Sequence, residues 1–223
     1  QPMPCGNEGA GTVVAAGSSP VAQAMLGATV SGVSGSMYAS HTKLSHVMCI
    51  PVPGGIAAAD AASSFVNPLT ALGMTETRRL EGHSAIVHTA AASNLGQMLH
   101  RLCQAEGIPL VNVVRRNEQA DLLRAAGAEH VVVSSADSFA DDLTVAITAT
   151  GATLAFDAIG GGEQVDTLLA SMEKASSAGQ AFSRYGSDTH KQVYIYGGLY
   201  RSATTLRRTY GMSWGVGGWL LTP

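Results

Sequence analysis

A doubly wound parallel α/β sheet, with a small β domain ahead of it, is the fold class that the sequence predicts. Two observations predict it. From Ser84 onward, short runs that are apolar on both faces alternate with amphipathic stretches; strands buried on both faces, each followed by a helix, mean a parallel sheet covered on both sides. Before Ala57 the chain is instead rich in Gly, Ser, Val and Pro, with β-prone pieces separated by turn residues. The division is placed after residue 58, giving a partial β domain over 1–58 and a larger domain over 59–223.

In the first part, the β-prone pieces are Gly11 to Ala16, Thr29 to Val33 and Val47 to Val52. Over Ala57 to Glu81, Ala59, Ala62, Phe65, Leu69, Leu72 and Thr75 recur at helical spacing, and the pair Asn67-Pro68 predicts a break into two short helices. Ser84 to Thr89 is then a continuous apolar strand, Asn94 to Glu106 a helix, Pro109 to Val114 a strand and Asn117 to Ala126 a helix. The alternation continues with Val131 to Val133, helix Phe139 to Ala149, strand Thr153 to Ile159, helix Gln164 to Lys174 and strand Gln192 to Tyr196. Between Ala175 and Lys191 lies a polar connection longer than the usual two to about six residues, read here as a mobile connector rather than a functional loop.

Composition narrows the chemistry. With 46% apolar residues in 223, the chain can bury a sizeable core, which excludes disorder and fibre. The net charge of −3 is not blocked, so there is no footprint for nucleic acid or an anionic membrane, and a small-molecule substrate is expected. No apolar run approaches the roughly 18 residues that span a bilayer. Cys5, Cys49 and Cys103 are scattered, the usage of a reducing, cytoplasmic compartment. The sequence starts without a methionine and stops within the apolar run Trp219 to Leu221, the expectation being a piece cut at both ends that exposes apolar surface from Gly211 to Leu221.

The first strand-to-helix turn of the larger domain reads His88-Thr89-Ala90-Ala91-Ala92-Ser93-Asn94-Leu95-Gly96. In a doubly wound sheet such a turn lies at the carboxyl edge, where the usual fingerprint is G-x-G-x-x-G and a dinucleotide binds. Ala91, Ser93 and Gly96 hold the three positions. Small residues let a diphosphate approach the backbone, and the N–H groups and dipole of the helix start favour its charge. The plainer alternative is a small-residue turn needed only for packing. At the end of the second strand, about 20 residues on, NAD-selective domains place a carboxylate that accepts the ribose hydroxyl. Arg115 and Arg116 stand there. A guanidinium can hold a ribose 2′-phosphate in charge-assisted, bidentate bonds, so NADPH is the better fit; two arginines merely solvated at a helix start is the alternative.

Three segments in order, Gly6-Asn7-Glu8-Gly9-Ala10-Gly11, Asn67-Pro68-Leu69-Thr70-Ala71 and Ala91-Ala92-Ser93-Asn94-Leu95-Gly96, resemble the medium-chain dehydrogenase/reductase superfamily. They are most similar to its zinc-free branch of quinone oxidoreductases and 2-enoyl thioester reductases. The resemblance implies a partial GroES-like substrate domain, then a Rossmann nucleotide domain that dimerises, giving a homodimer. It implies a cofactor site made of Asn67 and Thr70 at the nicotinamide, Ala92, Ser93, Asn94, Leu95 and Gly96 at the diphosphate, Arg115 and Arg116 at the adenosine phosphate, and Ile159, Gly160, Tyr196, Gly197 and Gly198 along the strand ends. Ordinary turn chemistry would equally account for the glycine pairs.

Asn7 stands where zinc-dependent relatives carry a His, and three distant cysteines cannot make a zinc lobe, so no metal is expected. The seven histidines, His41, His46, His83, His88, His100, His130 and His190, have no ligand spacing. The resemblance implies hydride transfer from NADPH to a quinone or an α,β-unsaturated carbonyl compound. In the enoyl thioester reductases the proton comes from a tyrosine upstream of the G-N-E-G segment, so the catalytic acid is not assigned; Tyr38 and Tyr185 are not substitutes. A non-catalytic NADPH-binding protein of the same fold is the alternative, since fold does not fix function. Alcohol dehydrogenase activity would need the zinc that Asn7 argues against.

Overall fold

The computed structural model describes residues 5–221, and the chain falls into two compact units, Gln1–Thr70 and Ala71–Pro223. The division falls inside a helix, where the sequence reading put it after residue 58.

In the first unit, β1 (Glu8–Thr12), β2 (Thr29–Val33) and β3 (Cys49–Pro51) form an antiparallel sheet in that order. α1 (Pro20–Ala24) joins the first two strands, a 3-10 turn (His46–Met48) leads into β3, and α2 (Ala58–Ala61) follows it. Two predicted strands are corrected. Gly11 to Ala16 is displaced toward the amino terminus, because pairing runs from Glu8 with Val33 to Thr12 with Thr29. Val47 to Val52 shrinks to three residues, since its start closes into the 3-10 turn.

α3 (Val66–Leu80) crosses into the second unit as one uninterrupted helix. The predicted break at Asn67-Pro68 does not occur there. Pro68 sits in the first turn, where its missing N–H would have no acceptor anyway, and the break lies between α2 and α3. Glu8 supplies the cap: its Oε2 accepts from the N–H groups of Phe65 and Val66 at 3.2 and 2.7 Å.

The second unit is built on six parallel strands: β4 (Ile86–Thr89), β5 (Leu110–Val114), β6 (His130–Val133), β7 (Leu154–Asp157), β9 (Lys191–Ile195) and β11 (Trp214–Gly218), in the order β11-β9-β7-β4-β5-β6. This is the doubly wound order, with its switch point between β4 and β7. One face is covered by α4 (Asn94–Glu106), by the later turns of α3 and by α5 (Asn117–Ala125), through Met74, Leu95, Leu99, Cys103, Ala120 and Leu123. The other is covered by α6 (Phe139–Thr150) and α7 (Gln164–Ser177), through Leu143, Ile147, Val165, Leu168 and Met172. The Ser93 hydroxyl and a left-handed Gly107 delimit α4 at the two ends the sequence predicts.

Three strands were not predicted: β11, and β8 (Gly160–Gly162) and β10 (Tyr200–Thr204), which pair with each other in parallel. Nor is the run Gly211 to Leu221 a wholly exposed apolar end. Its middle is β11, Tyr210 just ahead of it is fully buried edge-on to Trp214 at 5.1 Å, and the Trp219 indole donates to Thr77 at 3.1 Å. Met212 and Leu220 do stay exposed.

The connection from α7 to β9 is pinned near its carboxyl end. Lys191, without any exposure, donates to Glu173 Oε2 at 2.6 Å, to the Ser187 hydroxyl at 3.0 Å and to the Thr189 carbonyl at 2.8 Å. Glu173 also accepts from the Ser187 N–H and from the Ser177 hydroxyl, each at 2.8 Å. A buried ion pair with its remaining lone pairs occupied holds this part of the segment, while residues 178–185 are exposed.

Candidate functional site

The carboxyl ends of the parallel strands form a rim, and the turns after β4, β5, β7 and β9 lie along it. After β4 the chain turns sharply at Ala90, which has φ 52, a left-handed conformation that costs an L-residue about 1–2 kcal/mol. The tight turn is thus one residue earlier than the Ala91 position at which the fingerprint places it. Ala91 N–H donates to Val113 at 3.1 Å, tying the turn to β5. Ser93 caps α4, its hydroxyl accepting from Gly96 N–H at 3.1 Å. Gly96 has no freedom to be anything else: a Cβ there would lie 2.2 Å from the Ala91 carbonyl oxygen. Ser93 and Asn94 are exposed, Ala92 is half-buried, and Leu95 anchors the first turn in the core. The amides of Asn94 and Leu95 find no acceptor among the described residues, as the first N–H groups of a helix do not. The helix start is therefore an open set of donors.

At the tip of β5, Arg115 and Arg116 are both exposed. Their N–H groups each donate to the Gln119 side-chain oxygen at 3.1 Å, and the Ser135 hydroxyl donates to the Arg115 carbonyl at 2.6 Å, so the backbone of the pair is fixed. Arg116 faces Glu118 at 4.0 Å with both side chains largely solvated, a pairing worth little. The Arg115 guanidinium has no anionic partner among the described residues. Two cations ahead of a helix are unfavourable unless an anion joins them.

The turn after β7 is organised by a buried carboxylate that sequence reasoning did not single out. Asp157 accepts from the Thr89 hydroxyl at 2.7 Å and from the N–H groups of Ile159 and Gly160 at 3.1 and 2.8 Å, while Thr89 Oγ1 accepts from Ala158 N–H at 2.8 Å. Gly160, at φ +79, and Gly197 press against each other's turns: a Cβ on either would lie within 2.9 Å of the other segment's carbonyl oxygen. A Cβ on Gly161 would meet the Tyr200 carbonyl of β10 at 2.5 Å. Close approach of backbone to backbone therefore accounts for three of these glycines, and Gly198 alone faces open space. The signal in the sequence was a Thr and an Asp closing two strands, which means nothing until the strands are known to be neighbours.

Tyr196, half-buried at the end of β9, reaches past β7 to β4, where its hydroxyl lies 2.7 Å from His88 Nε2. His88 is fully buried, and burial drives its pKa down to about 4. Burial, then the charge of Asp157, push the Tyr196 phenol above its ordinary value. His88 and Tyr196 thus stay neutral together at physiological pH.

Asn67 and Thr70 belong to the first unit, in the opening turns of α3. Thr70 is buried, and its hydroxyl donates to Val66 at 2.6 Å, so its oxygen can accept a further bond but has no proton left to give. Among the described residues no group of three or more His, Cys, Asp or Glu is placed to hold a metal.

No family model matches the chain. Against curated proteins it is 31% identical over 133 residues to the mitochondrial enoyl-[acyl-carrier-protein] reductase of Homo sapiens, 57% of this chain and 36% of that one. Among solved structures, a Mesorhizobium loti protein assigned as an NADPH:quinone reductase is 30% identical, with a TM-score of 0.81 over 97% of this chain and 60% of that one. The chain is thus similar, over part of their length, to proteins named as enoyl and quinone reductases. It spans 36% to 45% of the length of these curated relatives. A mycobacterial protein solved with NADPH shares the fold at a TM-score of 0.73 and 21% identity, over 97% of this chain and 64% of that one.

Proposed function

We propose that this chain carries the NADPH-binding part of a zinc-independent medium-chain reductase that passes hydride to a quinone or an α,β-unsaturated carbonyl compound. The observation that carries the reading is the pairing of an open helix start, at Asn94 and Leu95, with exposed arginines at the tip of the next strand, where an NAD-selective domain has an acid. The amides of α4 take the diphosphate, with Gly96 letting the turn sit close enough. Arg115 and Arg116 close on the 2′-phosphate, which resolves the charge they leave uncompensated. Ile159 and Gly160, on the turn braced by Asp157, and Tyr196 to Gly198 line the two halves of the dinucleotide. Asn67 and Thr70 are assigned to the nicotinamide carboxamide, Thr70 as an acceptor from its amide. Bound there, NADPH supplies the hydride; orientation is the protein's part.

Support for the cofactor comes from the relatives, one named as an NADPH:quinone reductase and one solved with NADPH. For the substrate they point both ways, to enoyl thioesters and to quinones. The reading includes a homodimer formed along β11, which ends the sheet with its outer side unpaired among the described residues. It also includes a cytoplasmic location, on cysteine usage, although the curated relatives are named as mitochondrial.

Fluorescence titration with NADPH and NADH tests the reading. NADPH should bind the tighter, and Arg115→Ala or Arg116→Ala should each weaken it about tenfold or more while sparing NADH. Equal affinity for both nucleotides, untouched by either substitution, would remove the assignment. Turnover with an enoyl thioester and with a quinone, in parallel, then separates the substrate classes.

A further inference from the structure

We propose that His88 is a positioning residue: by accepting the Tyr196 hydroxyl at Nε2, it fixes that ring at the carboxyl rim and so sets the turn Gly197-Gly198 at the nicotinamide end of the site. The inference rests on the cofactor reading above.

The argument starts from what His88 costs. It lies in the middle of a parallel sheet, with no exposure, on the face where Ile86, Leu95, Leu99 and Phe156 form an apolar cluster. The strand neighbour with which it is in register on β7 is Phe156, and an apolar residue would suit His88's position as well. Instead there is an imidazole whose Nδ1 has no hydrogen-bond partner. A buried polar atom left unpaired costs about 1–3 kcal/mol. Histidine is therefore the less stable choice here, and what it provides in return is the single bond to Tyr196.

That bond spans the sheet. β7 lies between β9 and β4, so Tyr196 must lie across the end of β7 to reach His88. The two rings stack with an interplanar angle of 17° and centroids 5.7 Å apart. Tyr196 N–H also donates to the Asp157 carbonyl at 3.0 Å, and the next residue, Gly197, is wedged against Ala158. Ring and backbone of Tyr196 are both fixed, at the residue that begins the turn. Of the two directions possible for the bond, phenol to imidazole is the stronger, because a phenol is a good donor and a poor acceptor while a neutral imidazole nitrogen is a good acceptor. The Tyr196 proton is then spent inward, and Tyr196 acts as a wall of the site rather than as its acid.

Long-range nitrogen-15 NMR of the protein without nucleotide reads the bond directly: Nε2 of His88 should be the unprotonated nitrogen and Nδ1 the protonated one, whereas a protonated Nε2 would overturn the assignment. Thermal melting and NADPH titration of His88→Leu, His88→Gln and Tyr196→Phe read the role. His88→Leu, which removes the unpaired Nδ1 but leaves the Tyr196 hydroxyl without its partner, should melt close to the wild type yet bind NADPH about fivefold more weakly, and Tyr196→Phe should lose a similar factor. The double variant should be no worse than either single one. His88→Gln, which can still accept the phenol, should recover part of the affinity. If the wild type binds NADPH and His88→Leu binds it equally well, or loses stability without losing affinity, His88 is structural and the inference fails. A wild type that does not bind NADPH at all would instead bring down the cofactor reading, and the role of His88 with it.

Discussion

Gly96 shows at a single residue how the sequence and the site are linked. Any side chain there would be driven 2.2 Å from the Ala91 carbonyl oxygen, far inside contact distance, and the obstacle is backbone that cannot rotate away. Gly96→Ala should cost about 1–3 kcal/mol by forcing α4 off the turn, and NADPH affinity should fall with it because the amides of Asn94 and Leu95 move. Melting and titration on the same sample check both; an alanine variant with wild-type affinity would show that the turn does not seat the diphosphate. Gly96 was legible in the sequence, because a glycine at the last fingerprint position before an amphipathic helix has a stated reason to be there. Ala90 and Asp157 were not. The left-handed turn falls on a residue type that gives no hint of it, and the Asp157 to Thr89 bond joins positions 68 apart in sequence.

Strands and helices with strong periodicity were the legible elements, α4 above all, since cap, stripe and terminal glycine agree. β8, β10 and β11 were not, because Gly160–Gly162 and Trp214–Gly218 are too glycine-rich to show a pattern and every residue of β10 is exposed. The connection before β9 is anchored at its carboxyl end in a way that composition does not reveal. A polar composition suggests mobility, yet Ser187 and Lys191 bind that end to Glu173. Burial alone would raise the pKa of Glu173, but Lys191, the N–H and hydroxyl of Ser187 and the hydroxyl of Ser177 together hold it down at about 2. A carboxyl whose pKa is lower folded than unfolded stabilises the fold fully above the ordinary glutamate range. That contribution fades as pH falls through the folded value. Melting temperature should therefore decline between pH 5 and about 2 more steeply in the wild type than in Glu173→Gln, itself destabilised by about 3–5 kcal/mol at neutral pH because Lys191 is left buried and unpaired. Parallel pH profiles would refute the role given to Glu173.

For the whole molecule, the sheet order places every second-unit candidate on one rim, which is where the doubly wound topology puts ligands. It also leaves β11 at an edge, with Gly215, Val216, Gly217 and Gly218 presenting little side chain to keep another strand off. Light scattering should find a dimer, and Gly218→Lys, at an exposed edge position with open space for a side chain, should shift it toward monomer with the nucleotide site intact. A wild type that is monomeric at every concentration would argue against assembly along this edge.

The central claim is that guanidinium groups at the tip of β5 recognise a phosphate on the adenosine ribose. Titration calorimetry with 2′,5′-ADP against 5′-ADP tests it without any nicotinamide present. The account predicts that the 2′-phosphorylated nucleotide binds at least about tenfold more tightly, and that Arg115→Ala together with Arg116→Ala erases the difference while leaving 5′-ADP binding unchanged. Equal affinity of the wild type for the two nucleotides would contradict it.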